Sequence, residues 1–542
     1  MPAALSYPGV YIQEVPSGVR TIAGVATSIT AFVGRAAAGP TDEPQMLTSF
    51  ADYERRFGGL TVDCPMSYAV RDFYLNGGAQ ALVVRVTHED ADTATITLVG
   101  EGSPPENLVL EASSAGNWGN RLSAAVDHDT DRALPRTSPP ATDNTRFNLA
   151  VRYQPRAGRE EFVLETFSAV STNPDDLRYL PRVLERESSY VRVRGAMPAV
   201  RPLSNVTTVG STRTVNWVGA NAGNDGSPLV GNDVLGEQGP KTGIYALNRA
   251  DLFNLLCIPP LARNTSVFPS TYTTVPANVY QAALALCVER RAMLVVDPDP
   301  AWGVSIDSAV DNVIDGRNDL NLTGPAARNA ALYFPCVRMV DPLRDSRVDT
   351  FVPSGIVAGI IARTDVARGV WKAPAGLDAS LAGVQDLQIN LNDLENGQLN
   401  PLGINCLRTL GVNGRVVWGA RTLRGADASA DEYKYLPVRR LVLFLEESLY
   451  RGTQWVVFEP NDEPLWAQVR LNIGAFMQGL FRQGAFQGAT PRDAYFVKCD
   501  SQTTTQTDIN LGVLNIVVGF APLKPAEFVV IQIQQMAGQI ST

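Results

Sequence analysis

A chain of 542 residues, 45% hydrophobic and 19% charged, is too long for a single core and too apolar to be disordered; it carries material for about three domains. A net charge of −9 with no run of Lys or Arg excludes nucleic acid and anionic membrane as main partners. No apolar run approaches the ~18 residues of a membrane span.

In chain order, residues 7–15 (YPGVYIQEV) read as a strand, closed by the breaker Pro16-Ser17-Gly18, where the chain can change direction. Residues 22–34 are strand-like. Residues 63–78 predict a helix, with Asp63 as its cap, Pro65 in its first turn and Gly77-Gly78 at its end. Residues 80–86 read as a buried strand. From 87 to 236 the texture changes: clusters of Pro, Ser, Thr, Asn and Gly interrupt short strands such as 148–153 and 190–194, the pattern of a loop-rich insert. From 243 to 365 strands (252–258, 293–297, 331–340) alternate with helices (277–291 and one from Ser354), which implies a largely parallel sheet covered on both faces.

Beyond 399 the pattern changes again. Residues 405–410 and 415–423 flank Gly411-Val412-Asn413-Gly414, a hairpin signal. Residues 438–449 read as a helix, 454–458 as a strand and 461–481 as a long helix. In that helix Trp466, Val469, Ile473, Phe476 and Leu480 form one apolar stripe, with Gln468, Arg470, Asn472 and Arg482 off it. The C-terminal run 527–534 (EFVVIQIQ) alternates with period two, Val529, Ile531 and Ile533 on one face and Val530, Gln532 and Gln534 on the other. Neither terminal strand has a hairpin partner beside it. An unpartnered apolar strand is an aggregation hazard unless an acceptor edge exists, so both ends read as strands lent to other chains.

Candidate chemistry is sparse. The six cysteines (Cys64, Cys257, Cys287, Cys336, Cys406, Cys499) lack metal or redox spacing and read as buried thiols. The N-terminus lacks the basic and apolar regions of a signal peptide, so folding in a reducing cytoplasm is expected. Residues 236–242 (GEQGPKT) do not make a phosphate loop, because Pro240 separates glycine from lysine and removes an amide. Asp297 and Asp341 end expected strands, where α/β proteins place ligands, but Asp before Pro is also a common turn, and the turn reading is preferred. A hydrolase triad on Ser354 would need His88 or His128, the two histidines of the chain, to reach across from the insert. Arg421, Arg439 and Arg440 read as interface or domain salt bridges rather than as an anion site. No catalytic, cofactor or metal site is expected.

Taken together, the segments resemble the tail sheath protein family of contractile phage tails, R-type pyocins and phage-tail-like contractile injection systems. The resemblance is carried by YPGVYIQEVPSG, TSITAFVGRAAAGP, NGGAQALVVRV, KTGIYALNRADLFNLLCIPP, PSGIVAGIIARTDVARGVWKAPAG, LNPLGINCLR, VVWGARTL, QWVVFEPN, AYFVKCD and KPAEFVVIQI, in order, over both termini and most of residues 240–542. It implies an α/β and α+β multidomain fold: a subtilisin-like α/β sheath domain, a small C-terminal α+β domain with strand exchange between subunits, and a β-rich outer insert. The expected partition is 1–20 (donated arm), 21–95 (first part of the core), 96–236 (variable outward insert), 237–398 (α/β domain), 399–523 (C-terminal domain lining the tube) and 524–542 (second donated arm).

The function implied is that of a structural subunit, not an enzyme, polymerising around an inner tube and contracting to drive it through a target envelope. A static strand-exchanged shell or surface-layer protein, and a hydrolase on the α/β domain, are the alternatives. The inter-subunit strands would contain Tyr7, Val10, Tyr11, Ile12 and Val15 at one end and Phe528, Val529, Ile531 and Ile533 at the other. Pro16 and Gly18 would hinge the N-terminal arm, and residues 16–24 would reach about 30 Å at ~3.3 Å per residue. Arg470 and Arg482 are tube-facing candidates. The implied partners are other copies of the chain, the inner tube protein, baseplate and terminator or cap proteins, and sister sheath proteins, without nucleic acid or membrane insertion. Assembly in the bacterial cytoplasm, into a phage tail or phage-tail-like particle, is expected.

Overall fold

The computed structural model describes residues 20–130, 144–154, 162–209, 212–530 and 532. Short, fully buried runs such as TAFVG, ALVVR and AALYF are apolar on both faces, which suits strands covered on both sides. They belong to one eight-stranded sheet. Its strands are β1 (Thr30–Gly34), β2 (Gln45–Leu47), β3 (Ala81–Arg85), β4 (Leu255–Cys257), β5 (Met293–Val296), β6 (Ala330–Phe334), β7 (Ile404–Thr409) and β8 (Arg415–Val417). The order is β2-β3-β1-β4-β5-β6-β7-β8. From β3 through β7 every neighbour is parallel, and β2 and β8 close the edges antiparallel.

The period of two sends alternate residues into two cores. Ala31 and Val33 join the helices Ala277–Glu289 and Ile306–Asp319 on one face. Phe32 joins Pro65–Leu75 and Ser354–Arg368 on the other. These last two helices touch through glycine: a Cβ on Gly355 would lie 2.1 Å from the Ala69 carbonyl oxygen and one on Gly359 2.5 Å from that of Phe73.

Residues 94–220 build a separate β domain around Leu110, Trp118, Val126, Phe147 and Leu184. It holds a four-stranded, a three-stranded and a two-stranded sheet, the last pairing Val206–Val209 with Thr212–Val215, and the helix Leu180–Glu187. A third unit, the C-terminal lobe, packs the helices Leu436–Gly452 and Glu463–Arg482 against the hairpin Tyr495–Lys498/Val517–Phe520.

Several expectations are corrected. The boundary set at 399 falls later, because β7 pairs in parallel with β6 and completes the large sheet. The α/β core resumes before 237, with Leu229 and Val234 already buried in it. The run 331–340 is two strands: Pro335 cannot donate to a ladder, and Val337–Asp341 joins a different sheet with Arg347–Phe351. Of 22–34 only Thr30–Gly34 is a strand. The helix expected from Asp63 is capped at Cys64 without a side-chain bond, and Asp63 faces Arg35 at 3.7 Å. Segment 454–458 is no strand, since Gln454–Val456 is a 3-10 turn between two helices and Phe458 takes a left-handed φ of 72°.

Candidate assembly site at the chain ends

The C-terminal lobe ends in a ladder with two open sides. Tyr495–Lys498 pairs antiparallel with Val517–Phe520, from Tyr495↔Phe520 to Lys498↔Val517. Neither strand has another strand neighbour among the described residues. One face of the pair packs Tyr495, Val497, Val518 and Phe520 onto the lobe core. On the other, the exposed Phe496 ring lies over Gly519. A two-stranded ladder is marginal alone and invites further strands at both edges.

The N-terminal end is anchored on this same lobe. The Arg20 guanidinium lies over the Trp455 ring at 4.7 Å, and Ile22 is buried among the lobe's apolar residues. A Cβ on Gly24 would sit 2.9 Å from the Phe444 ring, so glycine permits the close approach. Val25 N–H donates to Ser448 Oγ (3.2 Å). The Thr27 hydroxyl donates to Asp365 (2.6 Å) and its carbonyl accepts from Arg440 (2.8 Å), while Arg440 also clamps Asp365 at 2.8 and 2.6 Å. The tether expected to run free to residue 24 is therefore held from Arg20 onward. Tyr7, Val10, Tyr11, Ile12, Val15, Pro16 and Gly18 lie outside the described residues, as do Ile531 and Ile533.

At the other end, residues 523–530 take no regular secondary structure, and Phe528 and Val529 are 74% and 81% exposed. Glu527 alone is held fast. Its carboxylate takes two hydrogen bonds from Arg421, at 2.7 and 2.6 Å, and one from the Tyr435 hydroxyl at 3.2 Å, with Lys434 at 3.7 Å. Burial raises the Glu527 pKa, but the hydrogen bonds and charge of Arg421, with Lys434 and Tyr435, outweigh it, and the net shift is downward. The three arginines read from sequence as salt-bridge formers are that: Arg421 with Glu527 and Asp427, Arg440 with Asp365, and Arg439 with Glu446. The partner Glu527, 106 residues from Arg421, carried no local signal.

The helix Glu463–Arg482 buries Trp466, Val469, Ile473 and Leu480 and half-buries Phe476, as the stripe predicts. Asn472, expected off the stripe, is buried as well, on the edge of the helix that carries Leu465 and Phe476. Arg470 is not a free cation: it pairs with Glu463 at 2.6 Å and donates to the Cys499 carbonyl. Arg482 is exposed and forms no ion pair among the described residues. The rest of the exposed face is uncharged, with Ala467, Gln468, Leu471 and Ala475 outward and open space above Gly474 and Gly479.

In the α/β domain Asp341 heads the turn expected of it, accepting the Leu343 N–H at 3.0 Å, and both Asp297 and Asp341 take buried polar roles as well. Asp297 accepts the Ser354 N–H (2.8 Å) and hydroxyl (2.6 Å), capping the helix Ser354–Arg368 from a distant strand. Ser354 is 1% exposed. His88 bonds Asp90 at 2.8 Å and His128 the Pro202 carbonyl at 2.9 Å, so a triad on Ser354 is not assembled. Asp341 is paired with Arg263, both side chains fully buried. Residues 236–242 form a turn in which Glu237 N–H donates to Thr242 Oγ1 (2.9 Å).

Burial pushes the Asp297 pKa up to about 7, against the lowering effect of the Ser354 bonds. A folded-state pKa above the unfolded value means that the stability held below the unfolded pKa is lost as pH rises through the folded one. Replacing Asp297→Asn removes that loss. The variant should therefore gain ~2–4 kcal/mol on wild type between pH 4 and pH 8. Denaturant midpoints at the two pH values check it, and parallel shifts in both proteins would sink it.

Residues 428–536 match the family described as phage tail sheath C-terminal domain, the span that holds the lobe and its open ladder. The chain is tail-sheath-like. The tail sheath protein of Enterobacteria phage T4 is 26% identical over 240 residues, covering 42% of this chain and 33% of that protein. The tail sheath protein of Vibrio phage KVP40 is 25% identical over 198 residues, covering 36% and 28%. This sheath-like chain thus spans about a third of the length of the curated relatives it matches. Among solved structures, the contracted helical sheath of the anti-feeding prophage superposes with a TM-score of 0.54 at 22% identity, covering 98% of this chain and 100% of that one. The contracted sheath complex of an extracellular contractile injection system gives 0.55 at 20% identity, covering 98% of each chain. The sheath tail protein of Listeria innocua gives 0.57 at 14%, covering 93% and 96%. Likeness at these identities establishes a shared mixed α/β multidomain fold.

Proposed function

We propose that this chain is the structural subunit of a contractile tail sheath, polymerising with copies of itself around an inner tube and contracting to drive that tube through a target envelope. The observation that carries the reading is the ladder Tyr495–Lys498/Val517–Phe520, open on both edges, in the lobe whose sequence matches the sheath C-terminal domain. Two open edges suit two donated ends. The run at 7–15 would add a strand to one and residues 528–533 to the other, each taken from a neighbouring copy. About five backbone hydrogen bonds per strand at ~0.5–1.5 kcal/mol each, with some apolar burial, hold neighbours by several kcal/mol.

In this reading the α/β domain is the subtilisin-like sheath domain, a label of fold and not of protease activity, and the parallel run β3 to β7 supports it. The domain of residues 94–220 has its own core and decorates the outside. The helix Glu463–Arg482 faces the tube. Arg482 and the uncharged face through Ala467, Leu471 and Ala475 fit that role better than Arg470, whose charge is engaged. Baseplate and cap proteins would bound the polymer, and sister sheath proteins would share its lattice. Subunits would assemble in the bacterial cytoplasm into a phage tail or phage-tail-like particle.

Electron microscopy of particles before and after a contraction trigger tests the reading. A sheath shows two helical lattices, long and narrow, then short and wide. A single unchanging lattice would identify a static shell instead.

A further inference from the structure

Residues 20–25 and Glu527 each pack on a part of the molecule that does not adjoin them in sequence. Residues 20–25 lead into β1 of the large sheet, yet they pack on the C-terminal lobe through Ile22, Gly24 and the Val25–Ser448 bond. Residues 523–530 leave the lobe's last strand, yet Glu527 is held by Arg421, which belongs to the α/β side. The Arg421 side chain is fully buried and spreads its other donors over the Asn400 carbonyl (2.8 Å), the Gly425 carbonyl (3.3 Å) and Asp427 (3.0 Å). Its backbone N–H donates to Asn405 Oδ1 (2.7 Å), a side chain of β7. The socket for Glu527 is thus built into the large sheet.

Little else holds this stretch. Among the described residues, Glu527 makes the only hydrogen bonds of residues 523–530. The stretch borders a cleft of about 1060 Å³, which Trp371, Trp418 and Tyr435 also line. Against a cleft of that size, the course of the stretch rests on the Glu527 carboxylate: chiefly its two bonds from Arg421, with the Tyr435 hydroxyl at 3.2 Å and Lys434 at 3.7 Å in support. A bidentate carboxylate–guanidinium bond fixes orientation as well as position, which a lysine could not do.

We propose that Arg421 and Glu527 form the anchor of the C-terminal arm. The clasp sets the line along which the arm leaves the body, and it passes tension from a strand-exchanged lattice into the eight-stranded sheet. A pull on the arm then loads Arg421 and its bonds together, instead of peeling the marginal two-stranded ladder one bond at a time. This rests on the sheath reading for its purpose, but not for its geometry. Arg421 and Glu527 are positioning residues: the pairing strand beyond them makes the contact with the neighbour.

Spin labels on the full chain test it, at Leu394→Cys on an exposed helix of the α/β side and at Val530→Cys on the arm; the native cysteines are buried, so labelling is selective. The interspin distance distribution of the unassembled subunit should be narrow. Glu527→Gln, which keeps the side chain's length and leaves Arg421 its other partners, should broaden it at least twofold with an unchanged unfolding midpoint, and should cut assembly yield at least tenfold. Arg421→Lys, which keeps the charge but loses the fork, should broaden it as well and serves if the first variant does not fold. An unchanged distribution in both variants overturns the clasp. A broadened distribution with full assembly overturns its role in anchoring the arm. Wild-type protein that never forms sheaths, with the distributions responding as expected, overturns the sheath reading and leaves the clasp standing.

Discussion

Deletion of residues 1–16 yields a folded, soluble chain that does not polymerise. The fold survives because the residues that follow the deletion make their own contacts, with Arg20 over Trp455, Ile22 in the lobe core and Thr27 tied to Asp365 and Arg440. Assembly fails because one open edge of each acceptor ladder loses its donated strand. The loss is ~3–5 kcal/mol per contact, which weakens each contact roughly a hundredfold to a few thousandfold. Thermal unfolding should therefore match the full chain, while sedimentation shows monomer. Sheaths of normal length from the truncated protein would refute strand donation by this end.

The largest single-residue effect on stability is expected at Arg263→Ala. The guanidinium bonds Asp341 at 2.7 Å and Asp349 at 2.8 Å, with all three side chains fully buried. It also lies 4.6 Å from the Phe351 ring centre and 5.3 Å from that of Tyr68. Asp349 keeps a second cation, Arg344 at 2.9 Å, but among the described residues Asp341 keeps only the Tyr68 hydroxyl at 2.8 Å and the Leu343 N–H at 3.0 Å. Stranding a buried carboxylate costs ~3–5 kcal/mol, because its desolvation is no longer offset by the opposite charge. Denaturant titration of the variant reads the loss directly, and a change below ~1 kcal/mol would show that water or Tyr68 compensates. The double variant Arg263→Met with Asp341→Leu should recover most of the stability, since an apolar pair of similar volume carries no such penalty.

What could be read locally was read. A strand buried on both faces needs a short apolar run, so β3 and β5 were legible from QALVVRV and MLVVD. An amphipathic helix needs a stripe, so Glu463–Arg482 was found to within two residues of its start and one of its end. Segment 454–458 misled because Val and Phe favour strands only where an edge is available to pair, and two flanking helices leave none. The polar interior was illegible for the same kind of reason. Asp297 reads as a turn residue beside Pro298, yet its partner Ser354 lies 57 positions away. Asp341 is 78 positions from Arg263, and Glu527 is 106 from Arg421. No periodicity encodes such pairs.

By itself the sequence determined most of the succession of elements in the large sheet and its helices and the apolar faces they bury, because backbone preference and hydrophobic period are properties of neighbouring residues. Only the tertiary structure decided which strands share the large sheet, where the lobe begins, and what holds residues 20–25 and Glu527. Those are set by side chains that meet across hundreds of residues, where burial makes each unpaired charge costly enough to dictate its partner.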